Sequence, residues 1–332
     1  AADKVFADVN DDGNRSALDA LMVLNRIKRD RDATHQPAPR PVQDTGDRLP
    51  NADVEVRSFD GTGNNLTDPV LGSAGQAFLR VAEADYGDGV STPAGQDRVS
   101  TRQISNTLSA TDFQDSRSER GLSNFLYVWG QFIDHDIDLT DSQIDGESLA
   151  IEVPVGDPMF DPLATGTATI ALTRSQFDPE TGTSPENPRQ QTNAITSYID
   201  GSQVYGSDQS TADSLRTFDG GHLKATDDGL LPTDENGSVM AGDVRAAENP
   251  SLTAIQTLFV REHNRLADKI ASADPTLTDE EIYQRARAIV IAEIQAITYN
   301  EFLPALLGKR GISRYEGYDA TVDPTIATEF AT

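Results

Sequence analysis

Residues 127–138, with the sequence YVWGQFIDHDID, constrain the fold of this chain more than any other stretch. When the segment and its approach are wound as a helix at about 100° per residue, the hydrophobic side chains form one broad face. These apolar positions are Leu122, Phe125, Leu126, Trp129, Phe132 and Ile133. The opposite side carries Gln131, Asp134, His135 and Asp138. The pattern predicts a helix that packs into a core and presents an amide, carboxylates and an imidazole on its other face.

Asp136 leaves this polar side and points toward the apolar flank, where a carboxylate needs a partner. A histidine between two aspartates is unusual for a purely structural surface, because imidazole changes its charge near neutral pH. The segment is therefore a candidate catalytic or binding site. An ordinary amphipathic helix with a solvated polar face is the alternative reading of the same pattern.

Composition limits the partners that the chain can bind. Its 332 residues include 27 Lys+Arg and 54 Asp+Glu, which gives a net charge of −27. This charge argues against nucleic acid or an anionic membrane as a partner. Disulfides and thiolate metal ligands are excluded because cysteine is absent, and no apolar run approaches the roughly 18–20 residues of a membrane span. We expect a secreted or cell-surface protein. The chain opens with Ala1 and lacks a signal peptide, which suggests that it is a piece of a longer protein.

Residues 1–34 are predicted to form a small calcium-binding module of the EF-hand type. Residues 8–19 place oxygen-bearing side chains where a calcium loop needs them, and Gly13 falls at the sharp turn of that loop. The candidate ligands are Asp8, Asn10, Asp12, Asn14 and Asp19. Residues 17–27 form a short amphipathic pattern after the loop. Residues 35–56 are rich in proline and predict an extended linker.

The remaining residues, 57–332, are predicted to form a mainly α domain with long loops. Pro250 sets the first turn of one long helix, and Thr278 with Glu281 forms a capping box that opens the next. Pro304 is predicted to end that second helix. In residues 194–207, oxygen atoms recur at alternate positions and suit a hard cation, although a polar turn before a helix explains the same spacing. These oxygens belong to Thr196, Tyr198 (its carbonyl), Asp200 and Ser202.

The segment WGQFIDHDIDLT closely resembles the distal-histidine segment of the animal-type haem peroxidases, the peroxidase–cyclooxygenase superfamily. Other segments resemble landmarks of the same family in the same order: residues 57–65, 102–106, 194–207, 241–250 and 261–266. The N-terminal module resembles one repeat of a type I dockerin. The combination is similar to bacterial peroxidases of the peroxidockerin type.

The resemblance implies a role for each candidate residue. His135 is expected to be the acid–base catalyst, Arg245 the stabiliser of developing negative charge, and Gln131 the holder of a distal water or halide. Asp134 and Glu248 match the carboxylates that form ester bonds to haem b in related peroxidases. Asp136 and the loop oxygens of Thr196, Tyr198, Asp200 and Ser202 match the family's calcium site.

The implied function is oxidation of small organic donors or halides by hydrogen peroxide, in a response to oxidative stress. The dockerin-like repeat implies a cohesin-like partner. In the family, the proximal histidine would follow shortly after Thr332. We therefore expect these 332 residues alone to bind haem weakly and to show negligible turnover.

Two other classes of function are compatible with the residues alone. In one, the Asp-His-Asp cluster at 134–136 is the site of a non-haem metal hydrolase, because imidazole and carboxylates also bind zinc or manganese. In the other, the chain is a calcium-stabilised adhesion or scaffold module whose peroxidase-like domain is inert.

Overall fold

A computed structural model describes residues 56–95, 97–109, 118–141, 146–308 and 311–331. The predicted calcium module, with Asp8, Asn10, Asp12, Asn14 and Asp19, lies outside the described residues, as does the linker before Val56. The helices are α1 (Thr101–Leu108), α2 (Phe125–Ile137), α3 (Ser202–Tyr205), α4 (Gln209–Leu215), α5 (Pro250–Ala273), α6 (Asp279–Ile297), α7 (Leu303–Leu307) and α8 (Thr328–Ala331). The expectation of a mainly helical domain with long loops is confirmed.

Extended structure is scarce within the described residues. Strand β1 (Ile151–Glu152) pairs antiparallel with β2 (Thr169–Ile170), and Ile151 lies opposite Ile170. The loops are held mainly by side chains that bind backbone. Asp157, for example, accepts hydrogen bonds from Arg102 and Asn106 of α1 and from two amides of its own loop. In the part of the chain described here, no helix is both long enough and apolar enough to cross a membrane.

The pair α5 and α6 forms the helical framework of the domain, and both begin as the sequence predicts. Pro250 lies in the first turn of α5, where its missing amide is not needed, and the side chain of Asn249 accepts from the Leu252 amide at 2.9 Å. Thr278 and Glu281 form the predicted capping box at the start of α6. Both helices present buried aliphatic side chains to the shared core.

The prediction that Pro304 ends the second helix is wrong. After α6 the chain passes through a π-helical turn, Thr298–Phe302, and Pro304 lies in the first turn of α7. A proline is tolerated there because the first amides of a helix have no partner within it. The helix therefore restarts around Pro304 and continues to Leu307.

Helix α2 begins at Phe125 and packs its apolar face against α5 and the π-helical turn. The ring of Phe132 stacks on that of Phe259, with 5.2 Å between centroids and 11° between planes. The indole nitrogen of Trp129 donates to the hydroxyl of Thr298 at 3.2 Å. Phe125 remains 46% exposed, so the apolar face starts about one turn later than its periodicity indicates. These contacts determine which side of α2 faces away from the core.

Candidate active site

The polar side of α2 is less exposed than its pattern predicts. Gln131 and Asp134 are partly exposed, but His135, Asp136 and Asp138 are buried. The helix ends at Ile137, and Asp138 already has extended backbone. Two segments distant in sequence cover this end of α2: the turn that enters α3 and residues 241–248. The alternative reading, an ordinary helix with a solvated polar face, is therefore wrong, because three of these polar side chains are buried.

His135 is held neutral by its surroundings. Burial, followed by the positive charge of Arg245, lowers the pKa of its imidazole to about 4, against a smaller opposing effect of Asp243. Its Nδ1 lies 3.8 Å from the Asp243 carboxylate and its Nε2 lies 3.7 Å from that of Glu248. Because the ring is uncharged at neutral pH, these contacts are not ion pairs. Nδ1 has no hydrogen-bond partner within the described residues. A neutral imidazole is free to accept a proton.

Arg245 is fixed by Asp243 and not by Glu248, the acidic neighbour that its sequence spacing suggests. Its Nε and Nη2 donate to the two oxygens of Asp243 at 2.9 and 2.8 Å, and Nη2 also donates to the carbonyl of Asp138 at 2.7 Å. The nearest atoms of Arg245 and Asp134 are 3.9 Å apart. Such a two-pronged contact orients the planar guanidinium and its permanent charge.

Sequence reasoning missed Asp243, which is only 3% exposed and contacts both His135 and Arg245. A local signal exists in the dipeptide Gly242-Asp243. A Cβ on Gly242 would lie 2.6 Å from the amide nitrogen of Tyr205, so only glycine allows this close approach to α3. The carboxylate of Asp243 accepts a hydrogen bond from the backbone amide of Arg245 at 2.8 Å. The Asp243 side chain thus closes a short turn over residues 243–245.

Gln131 links α2 to the residues that precede α5. It donates to the carboxylate of Glu248 at 2.8 Å and accepts from the side-chain amide of Asn249 at 2.7 Å. Asn249 also caps α5, so the beginning of that helix holds the glutamine in place. Both ends of the Gln131 amide are therefore engaged by protein groups in this arrangement. A water or halide bound by Gln131 would use the second N–H of this side-chain amide.

Asp134 and Asp138 lie one turn apart at the end of α2, and burial makes the ionised form of both carboxyl groups less favourable. Burial and the charge of Asp134 raise the pKa of Asp138 to about 7, and burial also raises the pKa of Asp134. The side chain of Asp134 is 38% exposed and that of Glu248 is 50% exposed. Two accessible carboxyl groups thus lie beside a buried imidazole and a fixed guanidinium. These residues fit a haem, which Asp134 and Glu248 would hold through their partly exposed carboxyl groups beside His135.

Asp136 lies on the other side of α2 and joins it to the loop before α3. Its oxygens accept from the amides of Gly201 and Ser202 and from the Ser202 hydroxyl at 2.9 Å. Asp200 accepts from the hydroxyl of Thr196 at 3.0 Å and from the Ser202 amide at 3.2 Å. The predicted turning of Asp136 toward the buried side is confirmed, because none of its surface is exposed.

The oxygen cluster around Asp136 and Asp200 fits a calcium ion. Burial, followed by the charge of Asp200, raises the pKa of Asp136 well above its usual range, and burial raises that of Asp200 to about 6. The charges of Arg287 and Arg57 lower the pKa of Asp200, but the effect of burial outweighs them. The Tyr198 carbonyl lies 2.9 Å from the Asp200 amide and 3.5 Å from the Thr196 hydroxyl, so it belongs to the same cluster. Carboxylates, hydroxyls and a carbonyl are the ligands that calcium prefers.

The geometry does not support the metal-hydrolase alternative. Asp136 turns toward the α3 loop, whereas His135 faces Asp243 and Glu248, so the three side chains at 134–136 do not converge. No group of three or more histidine or acidic residues in the described ranges could hold a metal ion. The oxygen cluster around Asp136 and Asp200 is of a different kind, because it has only two carboxylates and its other oxygens belong to hydroxyls and a carbonyl.

Comparison with known proteins agrees with this geometry. The model of the family "Animal haem peroxidase" matches residues 56–332. Human dual oxidase 1 is 37% identical over 303 residues, covering 83% of this chain and 19% of its own length. Drosophila melanogaster dual oxidase is 34% identical over 299 residues, with the same coverage of both chains. The chain therefore spans about one fifth of these relatives.

Solved structures show the same relationship. Peroxidase A from Dictyostelium discoideum superimposes with a TM-score of 0.71 at 32% identity, covering 83% of this chain and 58% of that one. An Oryza sativa fatty acid alpha-dioxygenase superimposes with a TM-score of 0.61 at 26% identity, over 80% of this chain and 42% of its own. Together with the family match over residues 56–332, these similarities show that the chain belongs to the animal haem peroxidase family.

Proposed function

We propose that this chain supplies the distal side of a haem peroxidase, which uses hydrogen peroxide to oxidise small organic donors or halides. Membership in the family supports peroxidase-type activity. The observation that carries the proposal is the buried, neutral imidazole of His135 beside the permanent charge of Arg245. Haem, when bound, supplies the redox chemistry of peroxide reduction.

His135 moves the proton in this mechanism. Its Nε2 is the ring nitrogen on the side of the exposed Glu248, whereas Nδ1 faces the buried Asp243. Nε2 takes a proton from one peroxide oxygen and delivers it to the other as the bond between them breaks. A pKa of about 4 keeps the base free of protons down to mildly acidic pH.

Arg245 stabilises the negative charge that develops on the leaving oxygen. Its two bonds to Asp243 and one to the carbonyl of Asp138 hold the guanidinium in place before reaction, so little reorganisation is needed. The guanidinium also keeps His135 neutral, because a second positive charge beside it is unfavourable. The guanidinium of Arg245 therefore has two effects: it stabilises the charge on the leaving oxygen, and it keeps the imidazole of His135 neutral.

Asp134 and Glu248 would hold haem b, with ester bonds as the expected form. Their partial exposure beside His135 supports this assignment. Calcium bound by Asp136, Thr196, Tyr198, Asp200 and Ser202 would tie the end of α2 to the loop before α3. It would thereby fix the backbone next to His135.

The proximal ligand is proposed to come from outside these 332 residues. His222 bonds Asp268 at 3.0 Å, and the fully buried His263 bonds the hydroxyl of Tyr205 and the carbonyl of Gly221. Both imidazoles are thus engaged by other protein groups, and His135 is assigned to the distal side. His35 lies outside the described residues, in the predicted linker. We accordingly expect the 332 residues alone to bind haem weakly and to turn over negligibly.

Residues 1–34 would add a second calcium site and a dockerin-like contact to a cohesin-like partner, which suits a secreted or cell-surface protein. This part of the proposal rests on the sequence alone. The adhesion alternative depends on the same module. It would be preferred if the full-length protein bound such a partner but failed to oxidise a peroxidase dye.

The decisive experiment is rapid mixing of the full-length, haem-loaded protein with hydrogen peroxide. His135→Ala should slow the first spectral change by several orders of magnitude, while haem remains bound. Arg245→Lys should also slow it, because a point charge on a flexible stem replaces a fixed planar fork. His222→Ala is the matched control, since His222 is partly exposed and bonds only Asp268 among the described side chains. If His135→Ala reacted at the parent rate, the assignment of the base would be wrong.

A further inference from the structure

Tyr205 and His263 form a hydrogen-bonded pair in the core that the proposed peroxide reaction does not use. Both side chains are fully buried, and the phenolic oxygen lies 2.9 Å from Nδ1 of the imidazole. Nε2 of the same ring lies 2.8 Å from the carbonyl oxygen of Gly221. A carbonyl can only accept, so Nε2 carries the ring proton and Nδ1 is the acceptor. Tyr205 therefore donates its hydroxyl proton to His263.

This arrangement gives Tyr205 what a buried phenol needs in order to lose an electron reversibly. Loss of an electron makes the phenolic proton strongly acidic, and a buried site without a base would trap the resulting charge. Here the proton can move along an existing hydrogen bond to Nδ1. The imidazolium so formed still donates from Nε2 to Gly221.

We propose that Tyr205 is a redox-active residue, with His263 as its proton acceptor. In the forward step a strong one-electron oxidant removes an electron from Tyr205, the O–H bond breaks, and the proton binds Nδ1 of His263. The products are a neutral tyrosyl radical, a protonated imidazole and the oxidant reduced by one electron. On return of the electron, the proton moves back to the phenolic oxygen.

Tyr283 provides an internal contrast. Its ring lies 6.1 Å from that of Tyr205, and it is equally buried. Its hydroxyl has no hydrogen-bond partner among the described residues. The guanidinium of Arg216 also lies over its ring, 3.9 Å from the centroid, whereas that of Arg287 lies 5.7 Å from the centroid of the Tyr205 ring. A positive charge on the ring is therefore less favourable at Tyr283 than at Tyr205. Tyr283 thus shares the environment of Tyr205 but lacks its proton acceptor.

Burial keeps the proton on Tyr205 at rest. It lowers the pKa of His263 to about 4, with smaller contributions in the same direction from His222, Arg216 and Arg287 and an opposing one from the bond to Gly221, and it raises the pKa of the Tyr205 phenol. The proton therefore stays on Tyr205 until an electron leaves, and it returns when the electron does. In the cell the one-electron oxidant would be the oxidised cofactor of a peroxidase. This part of the inference therefore rests on the proposed function.

The test uses the full chain and an oxidant that needs no haem. Tris(bipyridine)ruthenium(III) is generated by a flash, with persulfate as electron acceptor, and samples are frozen after a delay that lets exposed tyrosyl radicals couple and decay. High-field electron paramagnetic resonance should then show a long-lived tyrosyl radical. Its spectrum should contain a coupling to one proton that exchanges in D2O, donated by His263. Tyr205→Phe should lose this signal, and the matched Tyr283→Phe should keep it.

Several outcomes would overturn the proposal. They are an equal signal in Tyr205→Phe, a loss confined to Tyr283→Phe, or a long-lived parent signal without the exchangeable coupling. The coupling is measured on the unaltered chain, so it decides the matter even where a variant fails to fold. A radical formed with ruthenium but not with peroxide and the haem-loaded protein would support the pair and count against a peroxidase cofactor as its oxidant, whereas the proposed peroxidase function is tested separately by dye turnover.

Discussion

Calcium should stabilise this domain more strongly at pH 8 than at pH 5. The perturbation is removal of calcium by a chelator at each pH. Burial raises the pKa of the Asp200 carboxyl from 3.8 to about 6, so without a cation the folded chain keeps a proton that the unfolded chain has released. The stability contributed by that proton is fully present below about pH 4 and is lost as the pH rises through about 6.

The magnitude follows from that pKa. A change from 3.8 to about 6 in a fully buried group corresponds to about 3 kcal/mol. Asp136 acts in the same direction, because its pKa is also raised by burial and by Asp200. At pH 8 these carboxyl groups are ionised, and bound calcium offsets the stability that their ionisation costs. At pH 5 calcium must first displace the proton from Asp200. Between pH 5 and pH 8, a carboxyl with a pKa of about 6 accounts for only about half of this total. The calcium-dependent gain from Asp200 should therefore be larger at pH 8 by about 1.4 kcal/mol, or roughly 3–5 °C in Tm.

The assay is thermal unfolding with calcium and with chelator at both pH values, for the parent and for the double variant Asp136→Asn, Asp200→Asn. The variant keeps residues 8–19, so any calcium bound by that loop contributes equally to both proteins. Comparing calcium with chelator at one pH also cancels the titration of other groups. An equal calcium effect in parent and variant at pH 8 would refute the assignment, as would an effect that shrinks between pH 5 and pH 8.

Two further predictions concern buried carboxyl groups. Asp243→Asn should lower the free energy of unfolding in urea by about 3 kcal/mol, because it leaves Arg245 without its two-pronged partner. Asp134→Asn, at a partly exposed group 3.9 Å from the same guanidinium, should cost less than about 1 kcal/mol, and similar losses would contradict this ranking. Burial and then the charge of Glu262 raise the pKa of Glu293 to about 7, so its stabilising proton is lost as the pH rises through 7. Glu293→Gln should therefore be more stable than the parent at pH 8 by about 1–2 kcal/mol after allowance for solvent, and a less stable variant at that pH would refute it.

Much of the fold was predictable because it depends on short-range rules. Pro250 at the first turn of α5, the Thr278–Glu281 capping box and the aliphatic spacing of both long helices are local patterns, and each has the predicted result. The Pro304 prediction failed because proline ends a helix or begins one according to the backbone around it. Sequence periodicity does not distinguish these cases.

The sequence by itself identified candidate residues of the site and their order along the chain, namely His135, Asp136, Arg245 and Glu248, but not Asp243. Their partners were decided only by the tertiary structure. Arg245 contacts Asp243 and the Asp138 carbonyl, and Asp136 contacts a loop more than 60 positions away. Burial follows from such long-range packing, and burial sets the charge of a titratable group. The neutral state of His135 and the pairing of Tyr205 with His263 therefore appear only when distant segments come together.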